Sequence, residues 1–327
     1  MWSTGRLDAL LALARGAVNR LSRIRRPASD TVRPGRRARE LAPAPDLDGT
    51  RRRQGHEVAL GTPVRPPQTT QDPGAISGKE IYTLNSQIQR LKRNVSRLEA
   101  IHKLSEVGRT PVYPVEFRSQ FGEDAVLWEI LEGQLDGFFI EVGAFDGYNH
   151  SVTYAFECLG WEGLLVEAIP ERAEQCRARR RNSRVVHAAL AATPGGETSF
   201  TVTEDLYGGM LSYLDPNARH AKGAASATRR TVTVPLTTMN ELLNDHHGEI
   251  DVVVIDVEGG EIPLLAGFDL HKYRPKIIVI EDNTRGADLA LVDHMSMMPY
   301  KQVAWLEINR VYVRTDLAPQ ITRRIRP

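Results

Sequence analysis

The chain has 327 residues, of which 41% are hydrophobic and 25% charged, enough apolar material for a full core in one or two domains and enough charge to read as soluble. Its net charge of +1 hides an uneven spread: arginine crowds the first fifty-odd residues and the end, at Arg323, Arg324 and Arg326, while most acids lie between. The two cysteines, Cys158 and Cys176, fall in expected helices without metal-ligand spacing, so they read as reduced thiols rather than as ligands.

Residues 1–27 mix Trp2, Leu7, Leu10, Leu11 and Leu21 with arginines. The apolar run Ala9 to Ala14 is too short to span a bilayer, and Arg15 interrupts it. This basic amphipathic leader reads as a peripheral membrane contact, an arginine-rich targeting peptide or a solvated arm, on a chain expected to be cytoplasmic. Residues 28–76, rich in proline and arginine, are expected to be disordered. Order is expected from Ser77, where Ser77 and Glu80 form a capping box ahead of Ile81, Leu84, Ile88, Leu91, Val95 and Leu98. That three-four spacing over residues 77–107 predicts a parallel coiled coil and a homodimer. The alternative is a helix packed on its own globular domain, since Ile101 and Leu104 leave the register.

The globular part is expected over residues 112–318, followed by a basic tail at 319–327. Ser119 to Asp124 opens a helix carrying Val126, Leu127, Ile130 and Leu131. Phe138 to Val142 then reads as a strand buried on both faces, breaking into Gly143-Ala144-Phe145-Asp146-Gly147. Helix chemistry follows at Asn149-His150-Ser151. The loop is neither the G-x-G-x-x-G of dinucleotide binding nor a phosphate loop with G-K-[ST]. Its acid, Glu141, suits a ligand carrying an amino group and a sulfonium, as in the loop type of S-adenosylmethionine-dependent methyltransferases; a plain glycine turn is the alternative. A second strand, Gly163 to Val166, ends in Glu167 at the distance of a ribose-binding acid, which also serves as an N-terminal charge for a helix over 170–181. A third strand, 184–190, carries His187 toward the edge where adenine is expected, although a strand histidine is more often simply packed.

Alternating segments at 198–203 and 231–236 predict antiparallel strands around a polar excursion, Glu204 to Arg230, expected to shape the acceptor site. Thr238 with Glu241 caps a short helix. The run Ile250 to Ile255 delivers Asp256-Val257-Glu258-Gly259-Gly260-Glu261, and Lys276 to Ile280 delivers Glu281-Asp282-Asn283. Charges at buried strand ends cost free energy unless paired, hydrogen-bonded or metal-bound. In a doubly wound sheet these strand ends adjoin the glycine loop, so Asp256, Asp282 and Asn283 are expected to converge as oxygen ligands for Mg²⁺.

The segments I-E-V-G-A-F-D-G, V-E-A-I-P-E, S-Q-F-G-E-D and, above all, I-D-V-E-G-G-E followed by L-L-A-G-F resemble the FkbM family of S-adenosylmethionine-dependent methyltransferases over about residues 117–316. The resemblance implies a seven-stranded class I methyltransferase (Rossmann-like) α/β sheet and O-methylation of hydroxyls on sugars or polyketides. Val254 stands where this family commonly has a lysine. The hairpin expected over Tyr300 to Arg314 fits the last antiparallel pair of such a sheet. Candidate cofactor-binding residues are Glu141, Gly143, Ala144, Asp146, Gly147, Ser151, Glu167 and His187; candidate catalytic residues are Asp256 and Glu258, with His150 as a spare base. The carboxylates would orient or deprotonate the acceptor, with or without Mg²⁺. A nucleic-acid methylase is disfavoured, because the D/N-P-P-Y/F motif of amino methylation is missing and no nucleic-acid partner is expected. A non-catalytic coiled-coil adaptor with a relic fold is the other rival, opposed by the retained Glu167 and Asp256.

Overall fold

The computed structural model describes residues 78–204, 228–284 and 286–325. The leader at 1–27, the linker at 28–76, Ser77 of the capping box and most of the excursion at 205–227 lie outside the described residues.

Seven strands form one sheet: β1 (Phe138–Val142), β2 (Glu162–Glu167), β3 (Ser183–His187), β7 (Val252–Ile255), β8 (Ile277–Glu281), β9 (Tyr300–Leu306) and β10 (Asn309–Arg314). Their order is β3-β2-β1-β7-β8-β10-β9, with β10 antiparallel to both neighbours and the rest parallel. This is the mixed, doubly wound arrangement expected of a class I methyltransferase. β7 and β8 are buried throughout and β1 almost so, which explains their unbroken apolar runs. One face of the sheet packs Leu127, Trp128, Phe156 and Trp161, and the other packs Met239, Leu264, Phe268 and Leu291.

The expected third strand is two. β3 ends at His187, and β4 (Ala189–Leu190) joins β5 (Glu197–Glu204) and β6 (Thr228–Thr237) in a smaller sheet of order β4-β6-β5. The chain changes sheet at Ala188, a step that apolar periodicity does not encode. β5 and β6 pair antiparallel, as their alternation requires.

The first described helix, α1 (Gly78–Glu106), docks on the domain through Ser96, Ala100 and Leu104, which are buried. Of the heptad stripe, Leu84, Leu91 and Leu98 are exposed while Ile88 and Val95 are half-buried, so the helix packs intramolecularly along one side of the face its heptads single out. The following helices are α2 (Glu123–Ile130), α3 (Tyr154–Leu159), α4 (Pro170–Arg179), α5 (Met239–Leu242), α6 (Glu261–Ala266), α7 (Leu270–Tyr273), α8 (Leu289–Ser296) and α9 (Ala318–Ile325). Thr238 caps α5 by accepting from Glu241 N. What sequence suggested as a basic tail is helix α9, anchored by buried Ala318 and Ile321. Both cysteines are free and buried, and burial pushes their thiols up, Cys158 to about 12. No described helix is long and apolar enough to cross a membrane.

Candidate active site

At the carboxyl ends of β1, β2 and β7 lies an open cleft, where ligands bind in open α/β sheets. Its lining includes Gly143, Phe145, Glu167, Ile169, Ala188, Leu190, Phe200, Asp256 and Glu258. Gly143 has φ +79, and a Cβ there would stand 1.7 Å from the Asp256 carbonyl oxygen, so only glycine lets β1 turn beside β7. Glu167 is 6% exposed, with Oε2 accepting from Phe145 N at 2.7 Å and Oε1 from Ile169 N at 2.8 Å. Burial pushes this carboxyl up to about 7, against the backbone amides that favour its ionised form. One lone pair per oxygen remains for hydroxyl donors from the cleft. Beyond it, Ile169, Ala188, Leu190 and Phe200 make an apolar wall fit for a flat ring.

Glu141 does not line the cleft. It is 4% exposed beneath the glycine loop, accepting from Ser151 Oγ (2.8 Å), Val152 N (2.9 Å) and Thr153 Oγ1 (2.6 Å). The buried Arg180 faces both Glu141, at 3.5 Å, and Glu157, at 2.6 Å, and also donates to Gly147 O and Thr153 Oγ1. Ser151 therefore belongs to this internal network. Asp146 turns inward too, accepting from Tyr148 N, Asn149 N and Asn149 Nδ2 and pairing with Arg179 at 2.5 Å. Despite burial, those partners hold its carboxyl below the ordinary carboxylate range. Gly147 backs onto Cys176 and Arg180, and the half-buried His187 places a ring nitrogen 3.0 Å from Ala168 O. Of the expected cofactor residues, Gly143 and Glu167 line the cleft; Glu141, Ala144, Asp146, Gly147, Ser151 and His187 do not. His150 is exposed, and partial desolvation of its ring together with the Arg118 charge lowers its pKa.

The expected metal set of Asp256, Asp282 and Asn283 is not brought together. Parallel pairing of Ile255 with Ile280 puts Asp256 beside Glu281 and sends Asp282 to the opposite face. There Arg310 donates to Asp282 Oδ2 at 2.7 Å, while Thr284 N and Oγ1 fill Oδ1. Although buried, Asp282 is held below the usual carboxylate range by Thr284 and Arg310. Asn283 instead donates to Glu258 Oε2 at 3.3 Å. Glu281, Ile169, Ala188, Leu190 and Phe200 went unremarked as site residues; strand register would have found Glu281, but the wall residues carry no signal beyond apolarity.

Asp256 and Glu258 meet at the cleft, with Glu281 as a third carboxylate. Burial and neighbouring charge, Glu258's for Asp256 and Asp256's for Glu281, push Asp256 and Glu281 upward. Asp256 is exposed to the cleft, so the charges of its neighbours act on it more strongly than desolvation does.

The methyltransferase FkbM domain family matches residues 141–300, from the end of β1 to the start of β9. The chain carries an FkbM methyltransferase domain. S-adenosylmethionine is the cofactor this family implies, and the FkbM domain's cleft fits it: a ribose-competent acid at Glu167, a Cβ-free approach at Gly143 and an apolar wall. Similar solved structures include the METTL16 MTase domain (10% identity, TM-score 0.35, 67% of this chain and 78% of that one). Others are the C-terminal domain of precorrin-6Y C5,15-methyltransferase from Rhodobacter capsulatus (11%, 0.30, 58% and 84%) and a SAM-dependent methyltransferase from Aquifex aeolicus (12%, 0.30, 59% and 88%). No curated protein matches the chain.

Proposed function

We propose that this FkbM-domain protein transfers a methyl group from S-adenosylmethionine to a hydroxyl on a sugar, glycan, glycolipid or polyketide-type acceptor. The observation that carries this reading is the placement of Glu167 and Asp256 on one cleft, with an apolar wall at the first and carboxylates at the second. Bound S-adenosylmethionine supplies an electrophilic methyl group. Glu167 would accept the ribose hydroxyls, Gly143 and Phe145 would flank the methionine portion, and Ile169, Ala188, Leu190 and Phe200 would hold adenine. Asp256, with Glu258, would align the acceptor hydroxyl and take its proton at a carboxylate oxygen. Such alignment is worth on the order of 7–11 kcal/mol, and general-base assistance about 10²–10⁴-fold. The upward-shifted Asp256 is a stronger base than an ordinary aspartate and so better matched to a hydroxyl proton.

The test is incubation of the full chain with methyl-labelled S-adenosylmethionine and separated glycan, lipid and nucleic-acid fractions. Label in alkali-stable ethers of the glycan or lipid fraction supports the reading; label in nucleic acid alone contradicts the acceptor. The exposed stripe of Leu84, Leu91 and Leu98 on α1 supports a second proposal, that two copies pair along this helix. Sedimentation at equilibrium as a monomer would refute it.

A further inference from the structure

We propose that Asp256, Glu258 and Glu281 form a binding site for one oxygen-seeking divalent cation. One carboxylate oxygen from each residue lies within 4.8 Å of the others. The three differ in setting: Asp256 is open to the cleft, Glu258 is half-buried, and Glu281 is 6% exposed.

The second observation is at Glu281. Its Oε2 is a buried carboxylate oxygen to which no donor hydrogen-bonds, and the side chain turns toward two other carboxylates, meeting that of Asp256, with which it can share only a proton. A buried acceptor without a donor is costly, more so if charged, so such atoms are rare unless something binds them. Arg310, on the neighbouring strand, cannot serve, because it is spent on Asp282 and Gln302. Asn283 donates to Glu258 Oε2, the support expected for a carboxylate held in place beside an ion.

Chemistry narrows the ion: three carboxylate oxygens within 4.8 Å of one another suit a hard, oxygen-seeking divalent cation such as Mg²⁺, Mn²⁺ or Ca²⁺. Three carboxylates leave coordination positions facing the cleft, where water or an acceptor oxygen completes the shell. The role of the ion, to hold that acceptor oxygen and make its proton easier to remove, rests on the methyl-transfer reading above; its binding does not.

The experiment is a titration of full-length protein, stripped with EDTA and dialysed, with Mn²⁺, reading free Mn²⁺ by electron paramagnetic resonance and using Mg²⁺ and Ca²⁺ as competitors. The expected result is one Mn²⁺ per chain, displaced by either competitor, with affinity lowered at least about tenfold in Glu281→Gln and in Glu258→Gln. If Glu281→Gln does not fold, Glu258→Gln, nearer the surface, decides alone. No Mn²⁺ bound by the wild type at about millimolar concentration, or wild-type affinity in the folded variants, overturns the site. A chain that binds S-adenosylmethionine but no Mn²⁺ loses only this inference; one that binds Mn²⁺ but no S-adenosylmethionine loses the proposed function instead.

Discussion

Two groups of acids sit near the same rim of the sheet and are built in opposite ways. Beneath the glycine loop, Glu141 and Glu157 share the buried Arg180, and hydroxyls and amides surround all three. Across the switch point, Asp256, Glu258 and Glu281 face one another, and Glu281 Oε2 receives no hydrogen bond from a donor. In the first arrangement the acids are neutralised by a cation and by donors; in the second, like charges meet. An acid at a strand end is therefore informative only when its partners are known.

The comparison breaks most visibly at Arg180. Arg180→Met leaves Glu141 and Glu157 buried without their cation, and denaturant unfolding should show a loss of about 3–5 kcal/mol. In the other group, Asp256→Asn should leave S-adenosylmethionine binding by calorimetry intact while lowering turnover about 10²–10⁴-fold. Equal loss of stability in both variants would erase the distinction. Gly143→Ala tests the turn between the two groups. Its methyl must displace the Asp256 backbone, and a misplacement of about 1 Å should cost about 10²-fold in rate.

Glu167 gives a smaller effect with a definite sign. Its folded pKa of about 7 lies above that of an unfolded glutamate, so the folded state binds the extra proton between the two. Its contribution to stability is fully present below the unfolded value and is lost as pH rises toward about 7. Melting curves of the ligand-free protein should show this decline, and Glu167→Gln should flatten it. S-adenosylmethionine affinity should move the other way, strengthening from about pH 6 to about pH 8 as the ribose-accepting carboxylate ionises. The smallest effect is expected on α1. Leu91→Ser, at an exposed position, should change the domain's stability by no more than about 0.5 kcal/mol, whereas Leu104→Ala, at a buried one, should cost about 2–5 kcal/mol.

Much of the sheet was legible in the sequence because its inner strands are unbroken apolar runs ended by glycine or acid. Phe138–Val142, Val252–Ile255 and Ile277–Glu281 fall where their composition puts them. Side-chain direction was not legible. Glu281 and Asp282 are adjacent acids, and only pairing with β7 shows which one faces Asp256. Arg180 carries no mark of its role either, since its partners Glu141 and Glu157 are 39 and 23 residues away in the chain. Heptad spacing on α1 marks Leu84, Leu91 and Leu98, which are exposed, while the buried Ser96, Ala100 and Leu104 are positions that the pattern passes over.

The central claim is that the cleft between Glu167 and Asp256 holds S-adenosylmethionine. Isothermal calorimetry of the full chain with that ligand tests it most directly. The account predicts one site per chain with Kd in about the micromolar range, weakened about tenfold or more by Glu167→Gln. No heat of binding at about millimolar ligand, or equal affinity in Glu167→Gln, would contradict it.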